Sequence, residues 1–259
     1  MDIYQNLKLE NMIDMEVSGD GGFVTCTGCA ILPSGRTLIA DGRNLERLIE
    51  FDEEAKFRRY IPLNGCLWDV VAIGNNQIVV SQNGRIRLVV LDHDIKEKQT
   101  IELEGTCVGV TYYEDKIYVV VRYLGIVVVD TTGNISNTIN MNVADVTYLT
   151  ASKDKLFYAI ETENSVHCCS TDGKPIWSYK DGSIRLPLGV AVDNLGNVFV
   201  ASNEEDAIVF IKHDGTEART LLNKDDGIKS PTALSYNHER RCLVVCNELE
   251  RAAIYKCLY

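Results

Sequence analysis

Asp69, Asp145 and Asp193 stand at or near the starts of β-rich segments, and a ring of such carboxylates could hold a divalent cation for a hydrolase. An Asp in that place is more often a turn or packing residue, so the hydrolase reading stays the least favoured of three. Cys26-x-x-Cys29 and Cys242-x-x-x-Cys246 would make a four-thiolate zinc site if the two ends of the chain met. Their surroundings follow a packing pattern, and buried free thiols are common. Cys168 and Cys169 are adjacent, which puts them on opposite faces of a strand. His93, His167, His213 and His238 have no partner at the spacing of a metal site or a catalytic pair. Gly19-Asp-Gly-Gly lacks the following Lys and helix of a phosphate loop. The expectation is therefore a chain that is not an enzyme, with no catalytic residue, no metal and no cofactor.

Composition narrows the class further. The chain has 259 residues, 46% hydrophobic and 24% charged, with 26 Lys+Arg against 37 Asp+Glu and a net charge of −11. That deficit repels a phosphate backbone, so DNA is not an expected partner. The first residues lack the basic, apolar and small-residue regions of a signal peptide, and no run of about 18 apolar residues suits a membrane. Nine cysteines without secreted-type spacing suggest a reduced, cytoplasmic protein without a membrane partner.

The elements that position these residues come from a repeat. Ala30, Val70, Val110, Val146, Val190 and Leu234 occupy one register, at spacings of 40, 40, 36, 44 and 44 residues. The segments between are short and rich in Val, Ile, Tyr and Thr, as in Ile117-Tyr-Val-Val-Val. They are punctuated by Asp172-Gly173, Asp181-Gly182 and Asp214-Gly215. Four strands per unit and six units predict an all-β, six-bladed β-propeller in a single domain, 1–259. Its blades span approximately 27–63, 64–104, 105–142, 143–186, 187–230 and 231–259. The last blade has room for three strands only. The alternating segment at 7–17 (Leu7, Leu9, Ile13, Met15, Val17) is expected to complete it and close the ring.

At the fifth unit, Leu186-Pro-Leu-Gly-Val-Ala-Val-Asp-Asn-Leu-Gly-Asn-Val-Phe-Val-Ala-Ser, followed by Ala207-Ile-Val-Phe-Ile and His213-Asp-Gly, resembles the NHL repeat. Units one, two and six are weaker copies, and three and four keep the hydrophobic frame. Over its whole length the chain resembles the C-terminal NHL propeller of tripartite-motif proteins. The resemblance implies a non-catalytic module that recruits a protein client to a ubiquitin ligase. The RING finger and the coiled coil that give those proteins ligase activity and self-association have no counterpart here. Family propellers bind proteins in some members and RNA in others.

In such a propeller the turns between the second and third strands of each blade share one rim with the lead-ins to the first strands. The register places Arg43, Arg85, Arg122 and Tyr123 on that rim, with Trp68 beside them. Glu161, Glu163, Glu204, Glu205 and Glu248 fall on its other half. The expected docking surface is thus split by charge, with Arg and aromatic anchors of the kind enriched at interface hot spots. A protein partner is the first expectation and RNA, through the Arg-bearing half, the alternative.

Overall fold

The computed structural model describes residues 6–15, 24–42, 45–248 and 251–258. The chain opens with β1 (Asn6–Asp14), then builds a four-stranded antiparallel sheet from β2 (Cys26–Ile31), β3 (Thr37–Asp41), β4 (Arg47–Phe51) and β5 (Phe57–Pro62). A six-stranded sheet follows: β6 (Leu67–Ala72), β7 (Gln77–Leu91), β8 (Ile95–Tyr113), β9 (Lys116–Val121), β10 (Gly125–Asp130) and β11 (Ile135–Ile139). Two more four-stranded sheets are β12 (Leu149–Ser152) to β15 (Pro175–Tyr179), through β13 (Lys155–Ile160) and β14 (Ser165–Ser170), and β16 (Pro187–Val192) to β19 (Ala218–Leu222), through β17 (Val198–Ser202) and β18 (Ala207–Ile211). A capped 3-10 turn (Lys224–Asp226) leads to β20 (Pro231–Asn237), β21 (Cys242–Asn247) and β22 (Arg251–Leu258).

The expectation of six separate four-stranded blades is corrected. The described strands pair into five sheets, so the propeller counted by sheets has five blades, and the second and third sequence units share one. The cause lies in β7 and β8. β8 pairs with β7 through its first half and with β9 through its second. No Pro, Asn or Asp interrupts Glu104-Gly-Thr-Cys107, where the chain passes from one unit to the next. Other lead-ins are broken by such residues, at Asn64 and at Pro187 and Pro231. The chain therefore stays extended, bending at Gly105 with φ 118.

β1 pairs antiparallel along β22, from Asn6 opposite Leu258 to Asp14 opposite Arg251. The two ends of the chain thus share one sheet, and Ile13 and Met15 are buried in a cluster with Cys26, Ile254 and Ala252. The core lies between sheets rather than inside any one. Cys168 falls in one cluster and Cys169 in another, as adjacent strand residues must. β2, β6, the second half of β8, β12, β16 and β20 follow one another around the centre, with β20 back against β2. Among the described residues no helix is long and apolar enough to cross a membrane.

Candidate functional site

Two places could act on another molecule, and the first is the rim. The predicted geometry of turns against lead-ins is present: Glu161 N donates to Asp145 O, Glu204 N to Arg185 O, and Glu248 N to Ser230 O. Trp68 and Arg122, from different units, are brought together. The Arg122 guanidinium lies 5.2 Å from the centre of the Trp68 ring, whose Nε1 donates to Asn83 Oδ1 at 2.9 Å. Among the described residues no carboxylate pairs with Arg122.

Tyr123, next to this pair, is 89% exposed and has φ 66. Its turn explains the strain. In the third unit Val121 pairs with Gly125, leaving three residues in the loop. Ile160 with Ser165 and Ser202 with Ala207 leave four. In the longer loops the left-handed residue is Asn164 or Asp206, types that tolerate it; in the shorter one it is Tyr123.

The remaining predicted residues are less free. Arg85 lies 3.9 Å from Glu102. Glu204 and Glu205 both face Arg185, at 3.3 and 3.6 Å. Glu161 accepts a hydrogen bond from Thr147. Glu163 is 3.9 Å from His167, whose pKa burial pushes down, and Glu248 is exposed. Arg43 lies outside the described residues.

The second place is the central channel, considered from the sequence only as a cation site. A cavity of about 300 Å³ runs along the axis, lined by the inner strands of every sheet. Its lining includes the exposed His238 and Glu239, at the mouth, and the buried Cys29, Asp69 and Tyr148, at the far end. Tyr148, just before β12, reaches across the axis and donates its hydroxyl to Thr27 O of β2 at 2.6 Å. Asp69 accepts from Val70 N at 2.8 Å and from Val110 N at 3.1 Å, tying β6 to β8. Glycines let the strands close in at this level. A Cβ on Gly28 would lie 2.7 Å from Asp69 Cα, and one on Gly109 would lie 2.9 Å from Tyr148 Cα.

Burial pushes the Asp69 carboxyl up to about 8, with the Val110 and Val70 amides pulling the other way. Hydrogen bonding to Cys246 and burial hold the Cys26 thiol high, so this thiol is not a nucleophile. Asp145 is exposed and away from the cavity lining, and Asp193 caps its own turn through Leu195 N and Asn197 N, both at 2.8 Å. Of the three aspartates considered for a channel, only Asp69 is there.

No family model and no curated protein matches the sequence. Solved structures do match in fold. A protein of unknown function from Bacteroides thetaiotaomicron aligns with a TM-score of 0.78 at 12% identity, over 98% of this chain and 76% of that one. Virginiamycin B lyase from Staphylococcus aureus aligns at 0.73 and 11% identity, over 98% of this chain and 100% of the lyase. A streptogramin B lyase aligns at 0.67 and 11%, over 96% and 97%. The neighbours correct the expectation that the chain is not an enzyme, because this architecture at this length is an enzyme's in the lyases. The fold gives no ground for excluding catalysis. What the likeness shows is the β-propeller.

Proposed function

We propose that the chain recognises a protein partner through the rim around Trp68, Arg122 and Tyr123. The observation that carries this is Tyr123: an almost fully exposed aromatic held at φ 66 in a turn one residue shorter than those of the fourth and fifth units. Such a backbone costs on the order of 1–3 kcal/mol, and strain of this kind gathers at functional positions. Beside it, Arg122 stacks on Trp68 and among the described residues has no carboxylate partner, so the patch offers an aromatic contact and a positive charge together. The fitting partner surface presents a carboxylate next to an apolar side chain. The NHL resemblance of residues 186–202 supports client recruitment in the manner of tripartite-motif proteins. Protein is favoured over RNA because Arg85 and Arg87 already face Glu102 and Glu97, and a net charge of −11 repels a phosphate chain.

The test is capture from lysate followed by affinity measurement with the purified partner. Trp68→Ala, Arg122→Glu and Tyr123→Gly should each weaken binding by about 2 kcal/mol or more. Tyr123→Gly should leave stability unchanged or raise it by up to about 1 kcal/mol, because glycine relieves the left-handed strain. Lys96→Glu, near the start of β8, and Lys174→Glu, in the turn before β15, serve as controls. Equal losses in the controls and the rim variants would end the proposal.

A further inference from the structure

We infer that the central cavity binds a small organic cation, a primary ammonium or guanidinium compound, whose charged head meets the Asp69 carboxylate at the closed end. Among the described residues no Lys or Arg lines the cavity and no cation pairs with Asp69. The acidic groups in its lining are Asp69 at the bottom and Glu239 at the mouth, so once Asp69 ionises the interior carries a field of one sign. Low-dielectric walls concentrate such a field. The wall itself consists largely of sheet-edge strands (β2, β6, β12, β16 and β20), whose inward backbone groups have no further strand to pair with. They can hydrogen-bond the body of a short polar ligand. A volume of about 300 Å³ lies at the small end of ligand pockets.

A metal ion fits less well. Each Asp69 oxygen already accepts a backbone amide, and among the described residues no group of three or more His, Cys, Asp or Glu is arranged to hold one.

Binding is linked to pH. The titratable groups around Asp69 are Cys26 and Cys29 of β2, Cys246 of β21 and Tyr148, and all four are raised above their ordinary values and neutral at physiological pH. His238 at the mouth is pushed down by burial. With its carboxyl near 8, Asp69 is protonated in the empty cavity below that pH. An incoming ammonium keeps its own proton, forms the ion pair and displaces the carboxyl proton to solvent. Affinity therefore rises with pH, by up to about tenfold per unit, until the carboxyl is ionised without ligand.

Calorimetric titration of the full chain with n-butylammonium, 1,4-diaminobutane and guanidinium, against n-butanol, tests this at pH 6 and pH 8. The expected result is binding of the cations and not the alcohol, at least about tenfold tighter at the higher pH. Asp69→Asn should weaken binding at least tenfold, while Trp68→Ala on the rim should leave it unchanged. A carbon-13 carboxyl titration of the wild-type chain accompanies the variants. Its Asp69 midpoint should fall when the amine is saturating, a readout that survives even if Asp69→Asn does not fold. Failure of all three cations to bind, equal binding of butanol, an unmoved Asp69 midpoint, or full affinity in a folded Asp69→Asn variant would each overturn the inference.

Discussion

Tyr148 shows how one side chain can decide whether a ring has a hole. Its hydroxyl crosses from the lead-in of β12 to Thr27 O on β2, and both ends are buried. The small neighbour Gly109 leaves the room it needs. Without the hydroxyl, Thr27 O would lose a partner in a place where water has little access. Tyr148→Phe keeps the ring and removes only that bond. It should cost about 1–3 kcal/mol, the penalty for a buried acceptor left unpaired, read as a lower urea midpoint with unchanged slope. Rim binding should be untouched. A midpoint equal to wild type would mean that water replaces the hydroxyl and that the crossing bond is not a strut.

At the scale of elements, β1 is the decisive strand, because it comes from the opposite end of the chain to β22. Ile13 within it and Met15 just after it are fully buried, while Leu9 and Met12 remain about half exposed. Deleting residues 1–15 should uncover the edge of β22 and empty those two core positions. The expected product melts non-cooperatively or aggregates, by calorimetry and light scattering. A truncated chain that stays monomeric and melts with the wild type would show that closure does not need β1. This closure was legible in the sequence because Leu7, Leu9, Ile13 and Met15 alternate with charged residues and the last unit is one strand short. The shared sheet of β7 and β8 was not. Repeat spacing counts units, and hydrogen bonding through Gly105 depends on the absence of a chain break that spacing does not register. Tyr123 was legible as a rim residue; its strain was not, since that follows from a loop one residue shorter than those of neighbouring units. What plugs the central channel was hidden for a similar reason. The residues that plug it, Tyr148 and Asp69, are ordinary strand and lead-in types until six distant segments are placed around one axis.

For the molecule as a whole, the governing fact is a net charge of −11 spread over a closed ring. Part of that charge is neutralised inside. Glu50 is fully buried and faces Arg36 at 2.6 Å, Arg59 at 2.5 Å and Arg58 at 3.6 Å. Arg36 also donates to Asn75 O and Asn76 Oδ1, which joins the first sheet to the loop before β7. Salt screens such a buried cluster weakly. Most remaining ion pairs involve an exposed side chain and contribute little each, so what salt chiefly changes is the repulsion among surplus carboxylates. Self-repulsion of an excess charge opposes the compact state. Raising ionic strength from about 10 mM to about 200 mM shortens the screening length from roughly 30 Å to under 10 Å, less than the width of a domain this size. The melting temperature should therefore rise with sodium chloride over that range, and by a similar amount in Tyr148→Phe, whose defect is uncharged. A melting temperature that falls with salt would mean that attractive surface pairs outweigh the net repulsion. The ring would then be held together by its exposed charges rather than in spite of them.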